Sequence, residues 1–149
     1  MLTKLNKERI ELVMEYCLER FGISHGHLDD YSWYIGSKNR IYIGPSELER
    51  IRPESIGLCI FRIDKSPKPT TNFIQLFGPL ITKNVIEIND NEVIDFCSGK
   101  DLKPNGTRNV LPGFVAVKNG NRSIGCGHWN GNLLKNQIPK SKFCKINFL

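Results

Sequence analysis

The chain has 149 residues, 40% of them hydrophobic and 24% charged, which excludes wholesale disorder and leaves apolar material for one ordinary core or two small ones. No apolar run approaches the roughly 20 residues that span a bilayer. The first twenty residues carry acidic groups where a cleavable signal needs an unbroken apolar core, so a cytoplasmic location is expected.

The net charge of +6 is unevenly placed. Up to Asp101 there are 13 basic and 15 acidic side chains; beyond it there are eight basic and no acidic ones. A third of the chain carrying one sign is what a polyanion-binding surface requires, the bland alternative being a solvated basic face. Cys17, Cys59, Cys97, Cys126 and Cys144 are scattered with no Cys-x-x-Cys, which predicts reduced thiols packed as small apolar groups and no zinc site.

In chain order, Thr3 to Arg20 reads as an amphipathic helix. Ile10, Val13 or Met14, Cys17 and Phe21 form its stripe, and Gly22 is placed to cap it. Ile23 to Asp30 reads as a polar loop. His25, His27, Asp29 and Asp30 are metal-ligating types, but Gly26 and the turn composition argue against a strand that would align the two rings.

Tyr31, Trp33 and Ile35, then Ile41 and Ile43, alternate as two strands of a hairpin around Gly36-Ser37-Lys38-Asn39. Tyr34, Arg40 and Tyr42 fall on its other face, aromatics interleaved with charge as in base-stacking surfaces, although core filling is the commoner use.

Pro45 to Ile51 predicts a short helical turn capped by Ser46, and Leu58 to Ile63 a strand. Asp64 to Asn72, with two prolines, is the most loop-like stretch and sets the expected domain boundary: an α/β domain over 1–74 and a second domain over 75–149. In the second, Gly78-Pro79 breaks an apolar run. Val85, Ile86 and Ile88 predict a strand, and Asn91 to Cys97 a short helix ended by Ser98-Gly99.

Lys100 to Pro112 is a basic loop leading into a hairpin. Phe114 to Val117 and Ile124 to Cys126 are its strands. Asn-Gly between two apolar runs predicts a type I′ turn at Asn119-Gly120. Gly125 and Gly127 lack side chains where a backbone or a ligand would approach closely. A basic, amide-rich tail follows, with His128, Trp129, Lys135, Asn136, Gln137, Lys140 and Lys142.

Gly113-Phe114-Val115, the Asn119-Gly120 turn, Ile124-Gly125-Cys126-Gly127 and Leu133 to Lys140 together resemble a PUA domain, and most closely the PUA-like tail of Sun/Fmu-type RNA 5-methylcytosine methyltransferases. A second resemblance is to small ribosome-biogenesis factors in which an α/β domain precedes a PUA domain. The resemblance implies an α+β protein, a small α/β domain followed by a mostly β pseudo-barrel. It implies structured RNA, rRNA or tRNA, as partner, in ribosome biogenesis or RNA modification. A ribosome-assembly factor or an RNA methyltransferase would be the protein partner. In that family a glycine-bearing helix and loop lie beside the hairpin and grip RNA, which carries over to Gly99, Lys100, Lys103 and Arg108.

Catalysis finds no support in the motifs. Gly125-x-Gly127-x-x-x-Gly131 has the wrong spacing for a dinucleotide site, and no P-loop exists. Cys126 and His128 stand two apart on one strand, which does not fix a thiol and an imidazole in a hydrogen bond. The expectation is a non-catalytic binder without cofactor or metal. Its candidate RNA contacts are Lys100, Lys103, Arg108, Lys118, Arg122, His128, Trp129, Lys135, Asn136, Gln137, Lys140 and Lys142. Lysines would act as point charges, Arg108 and Arg122 as forks on phosphate, and Asn136 and Gln137 as amides for a base edge or a 2′-hydroxyl. The alternative is a protein-interaction subunit docking on an RNA methyltransferase or an assembly factor.

Overall fold

The computed structural model describes residues 3–44 and 58–143. The helical turn expected over Pro45 to Ile51 lies outside the described residues. The rest is an α+β arrangement of two sheets and three α-helices.

The first helix, α1, runs over Lys7–Phe21, shorter at its start than the periodicity implied. Thr3–Lys4 instead form a strand, β1, because Asn6 takes an extended conformation and caps the helix, its side chain accepting from the Arg9 amide. Gly22 ends it in the left-handed region at φ 73°, as its position predicted. Within the expected loop, His25–His27 make one 3₁₀ turn.

Strands β2 (Ser32–Ile35) and β3 (Arg40–Gly44) form the expected hairpin, and β4 (Leu58–Ile63) follows. The proline-rich stretch expected as loop contains a further strand, β5 (Pro67–Pro69), and leads into a second helix, α2 (Thr71–Phe77), capped by Thr70. Prolines are tolerated there because β5 is an edge strand, paired among the described residues with β4 alone. The five strands make a sequential antiparallel meander.

The second sheet has the order β6-β7-β8-β9, from Val85–Glu87, Gly113–Asn119, Arg122–Trp129 and Leu134–Asn136. Strand β6 runs parallel to β7, and the crossover between them contains α3 (Asp90–Cys97). Asn89 and Glu92 form a capping box at its start. The hairpin turn sits one residue later than expected. Asn119 pairs with Arg122, leaving Gly120 and Asn121 as the loop, and only Gly120 has positive φ, at 60°. That is the requirement of a type II′ turn, not type I′.

The β7–β8 ribbon serves two cores. One face gives Ala116 and Cys126 to a cluster with the α1 stripe, Trp33, Ile41, Ile43, Ile60 and Phe61 of the first sheet, and Phe73, Ile74 and Phe77 of α2. The other face gives Val115, Val117 and Trp129 to a cluster with Ile86, Phe96, Leu134 and Ile138. Phe73 anchors the first cluster, its ring 4.7 Å from Phe61, 5.3 Å from Phe77 and 5.7 Å from Phe21. Each such aromatic pair adds about 0.5–1.5 kcal/mol beyond area burial. The position 74/75, expected as a boundary, falls inside α2, whose buried face joins both halves of the chain.

Candidate nucleic-acid interface

Several polar residues of the basic third are turned into the fold. Lys118 sits on the β7 face that meets α2, and its Nζ donates to the carbonyls of Gly78 at 2.7 Å and Ile81 at 3.2 Å. Burial lowers its pKa, with Glu87 acting in the opposite sense. Trp129 is 6% exposed and belongs to the second core, so its indole is a packing group and no stacking platform.

Asn136 is similarly engaged. Its Nδ2 donates to Phe96 O at 2.6 Å and to Lys100 O at 3.1 Å, and its Oδ1 accepts from the Ile138 amide at 2.8 Å. Its own amide donates to Asp101 Oδ1 at 2.8 Å. The residue thus clamps β9 to the end of α3. Arg122, at the hairpin tip, donates from Nη2 to Asn119 Oδ1 at 2.6 Å. Lys100 lies 3.4 Å from Asp95, an exposed pair worth little.

Lys103, Arg108, Lys135, Gln137 and Lys140 are exposed. Among the described residues, none of the four cations in this set has an ion pair. Lys135 stands on edge strand β9, opposite His128 on β8. The His128 ring packs edge-on against Phe114 with centroids 5.0 Å apart. Burial first, then the charges of Arg20 and Lys135, lower its pKa. Lys142 is hydrogen-bonded through Nζ to Asn72 Oδ1, which fastens the Lys140–Lys142 turn to the start of α2.

The two glycines expected to admit close approach of a backbone or a ligand are approached by side chains of the tail. A Cβ at Gly125 would lie 2.9 Å from Ile138 Cγ1, and one at Gly127 would lie 2.5 Å from Leu134 Cδ1. The tail therefore folds back over the hairpin, and core packing explains both glycines.

Arg108 lines a cleft of about 520 Å³ with Glu19, Lys83, Asn84 and Leu111. Asn84 shapes it: at φ 54°, its Nδ2 donates to Arg20 O at 2.6 Å and its Oδ1 accepts from the Leu111 amide at 3.0 Å. Lys142 lines a different cleft, of about 240 Å³, with no described lining residue in common with the first. The candidate cations are thus distributed between two clefts, an edge strand and a hairpin tip. Lys83 and Asn84 escaped sequence reading, since neither sits in a periodic segment or a motif. Arg20 escaped it too, because a basic residue in the last turn of a helix is an ordinary feature.

Residues 83–141 match the family model of the methyltransferase RsmF PUA domain. That segment begins just before β6 and takes in the whole second sheet, α3 and the basic loop between them. It is the part of the chain in which the PUA-like hairpin motifs lie, and the likeness read from those motifs is shown. No curated protein matches the chain. No described helix is long and apolar enough to cross a membrane.

Proposed function

We propose that the protein binds structured RNA, rRNA or tRNA, in the context of RNA modification or ribosome biogenesis, and that it does so without catalysis of its own. The observation that carries this reading is the carboxylate-free chain after Asp101, which exposes Lys103, Arg108, Lys135 and Lys140 on a segment matching a PUA domain.

A-form RNA hides its major-groove edges, so recognition by such a surface rests on phosphates, 2′-hydroxyls and unpaired bases. Lysines contribute charge without strict geometry; Arg108, which lines the larger cleft, is shaped to fork onto a phosphate. Gln137 keeps an exposed amide for a sugar or base edge, the role that Asn136 fills internally.

Docking on a methyltransferase or an assembly factor is compatible with this activity. The exposed Leu12 and Leu18 do not form a docking stripe on α1, since six positions place them about 120° apart around the helix.

The test is the affinity of the full chain for a tRNA transcript before and after neutralising Lys103, Arg108, Lys135 and Lys140 to Gln together. Loss of at least tenfold with an unchanged thermal melt supports the reading. Equal affinity of the two proteins, or no binding by either, overturns it.

A further inference from the structure

The smaller cleft lies outside the segment matched by the family model on most of its sides. Arg40 and Tyr42 of β3, Cys59 of β4, and Thr70, Thr71 and Asn72 at the start of α2 form three walls; Pro139 and Lys142 form the fourth. It is a constructed feature. Thr70 Oγ1 donates to Cys59 O at 2.7 Å and Asn72 Nδ2 to the same carbonyl at 3.2 Å, fixing α2 to β4. The bond from Lys142 to Asn72, with Ile138 buried against Gly125, fixes the C-terminal wall.

The chemistry of the lining is one-signed. No carboxylate is among its described residues, whereas Glu19 lines the larger cleft. Strand register puts Arg40 opposite Arg62 and Arg62 opposite Lys68, a basic row across β3, β4 and β5. Among the described residues, the one acidic side chain paired with that row is Asp64, 3.8 Å from Arg62 and 3.2 Å from Lys68. Arg40 has no ion pair among the described residues. Beside it Tyr42 is half-buried on the same outer face, since both alternate with the inward Ile41 and Ile43. A guanidinium and a phenol ring side by side suit a phosphate and its adjoining unpaired base.

We propose that this cleft is a second RNA-contacting site, in which Arg40 and Lys142 take a backbone phosphate and Tyr42 packs against the neighbouring nucleotide. It rests on the RNA reading above and extends the bound surface onto the first sheet, ahead of the carboxylate-free stretch in the sequence. An acidic polypeptide is the other polyanion that such a cleft would attract, and the test separates the two.

The experiment uses the full chain and a fluorescein-labelled tRNA transcript, titrated by anisotropy from low to physiological salt. Arg40→Gln and Tyr42→Ala each weaken binding several-fold. Arg40→Gln also lowers the steepness of log affinity against log salt by about 0.7, the loss of one phosphate contact. Lys7→Gln, at the exposed start of α1, changes neither quantity. Arg40 is exposed, so its variant keeps the fold, whereas loss of Lys142 would also loosen the tail. As a second readout, bound RNA slows alkylation of Cys59, followed by mass spectrometry, and polyglutamate at equal charge does not.

If Arg40→Gln behaves like Lys7→Gln, or Cys59 reacts at the same rate with RNA bound, the cleft is not a site, while RNA binding by the wild type leaves the broader reading standing. Protection by polyglutamate and not by RNA likewise overturns the cleft proposal. Absence of RNA binding by the wild type overturns both.

Discussion

Arg20 and Phe114 join the first helix to the hairpin: Arg20 Nε donates to the Phe114 carbonyl at 2.6 Å. The same guanidinium reaches Leu111 O at 2.7 Å and Pro112 O at 3.3 Å, so one side chain fixes the end of the basic loop and the start of β7. Arg20→Ala is expected to cost about 2–3 kcal/mol in urea unfolding, since charge-assisted bonds are lost and carbonyls are left exposed to water only in part. Arg20→Lys recovers little, because an ammonium cannot reproduce the planar fork. A variant within 0.5 kcal/mol of wild type, roughly the limit of an unremarkable surface change, would contradict this role.

Gly127→Ala drives a methyl to 2.5 Å from Leu134 Cδ1 and 3.2 Å from Val117 Cγ2, both fully buried. Overpacking of this kind costs about 1–3 kcal/mol. Pairing it with Leu134→Ala should cost less than the sum of the two single changes, because the truncation removes the clashing methyl. Strict additivity in a double-mutant cycle would refute the packing explanation of this glycine.

Asn136→Ala removes both donors and the acceptor of the β9–α3 clamp, leaving Phe96 O and Lys100 O without them. Destabilisation of about 1–3 kcal/mol is expected. The affinity of the still-folded fraction for RNA should be unchanged. A variant that is stable but deficient in RNA binding would return Asn136 to the contact surface.

His128 has a pKa below its ordinary value, from burial and from Arg20 and Lys135. The fold therefore favours the neutral ring, and the unfolded chain binds a proton more readily. Stability attributable to the residue is fully present above the unfolded pKa of about 6.5 and is lost as the pH falls through the lower folded value. The wild type should lose more thermal stability between neutral and mildly acidic pH than His128→Gln. Equal losses would exclude the effect.

Much of the fold is legible in the sequence because short-range rules decide it. The α1 stripe with Gly22, the Tyr31–Ile43 alternation and the apolar Leu58–Ile63 run each carry their own signal. The hairpin turn is displaced by one position because Asn119 stays in the ladder opposite Arg122, and a bulge between Val117 and Lys118 leaves Ile124 without a Cα partner. Strand β5 was hidden by its prolines, which normally signal a loop, and α2 by the brevity of its run before Gly78.

The candidate site was less legible, because tertiary contacts decide what a polar side chain does. Lys118, Trp129 and Asn136 look like the exposed lysines and amides around them until Gly78, the second core and Phe96 are seen beside them. Arg40 and Lys142 stand about a hundred positions apart in the chain, and only the docking of the tail on α2 brings them to one cleft. Charge sign along the sequence survives folding; the direction in which each charge points does not follow from it.

The measurement closest to the central claim is the salt dependence of tRNA-transcript binding by the wild type and by Lys135→Ala/Lys140→Ala. Three to five phosphate contacts at about 0.7 each predict log affinity falling by about 2–3.5 per decade of salt, and the double variant should have a shallower slope. No binding at low salt, or a slope untouched by removing both lysines, would contradict RNA recognition through the basic residues that follow Asp101.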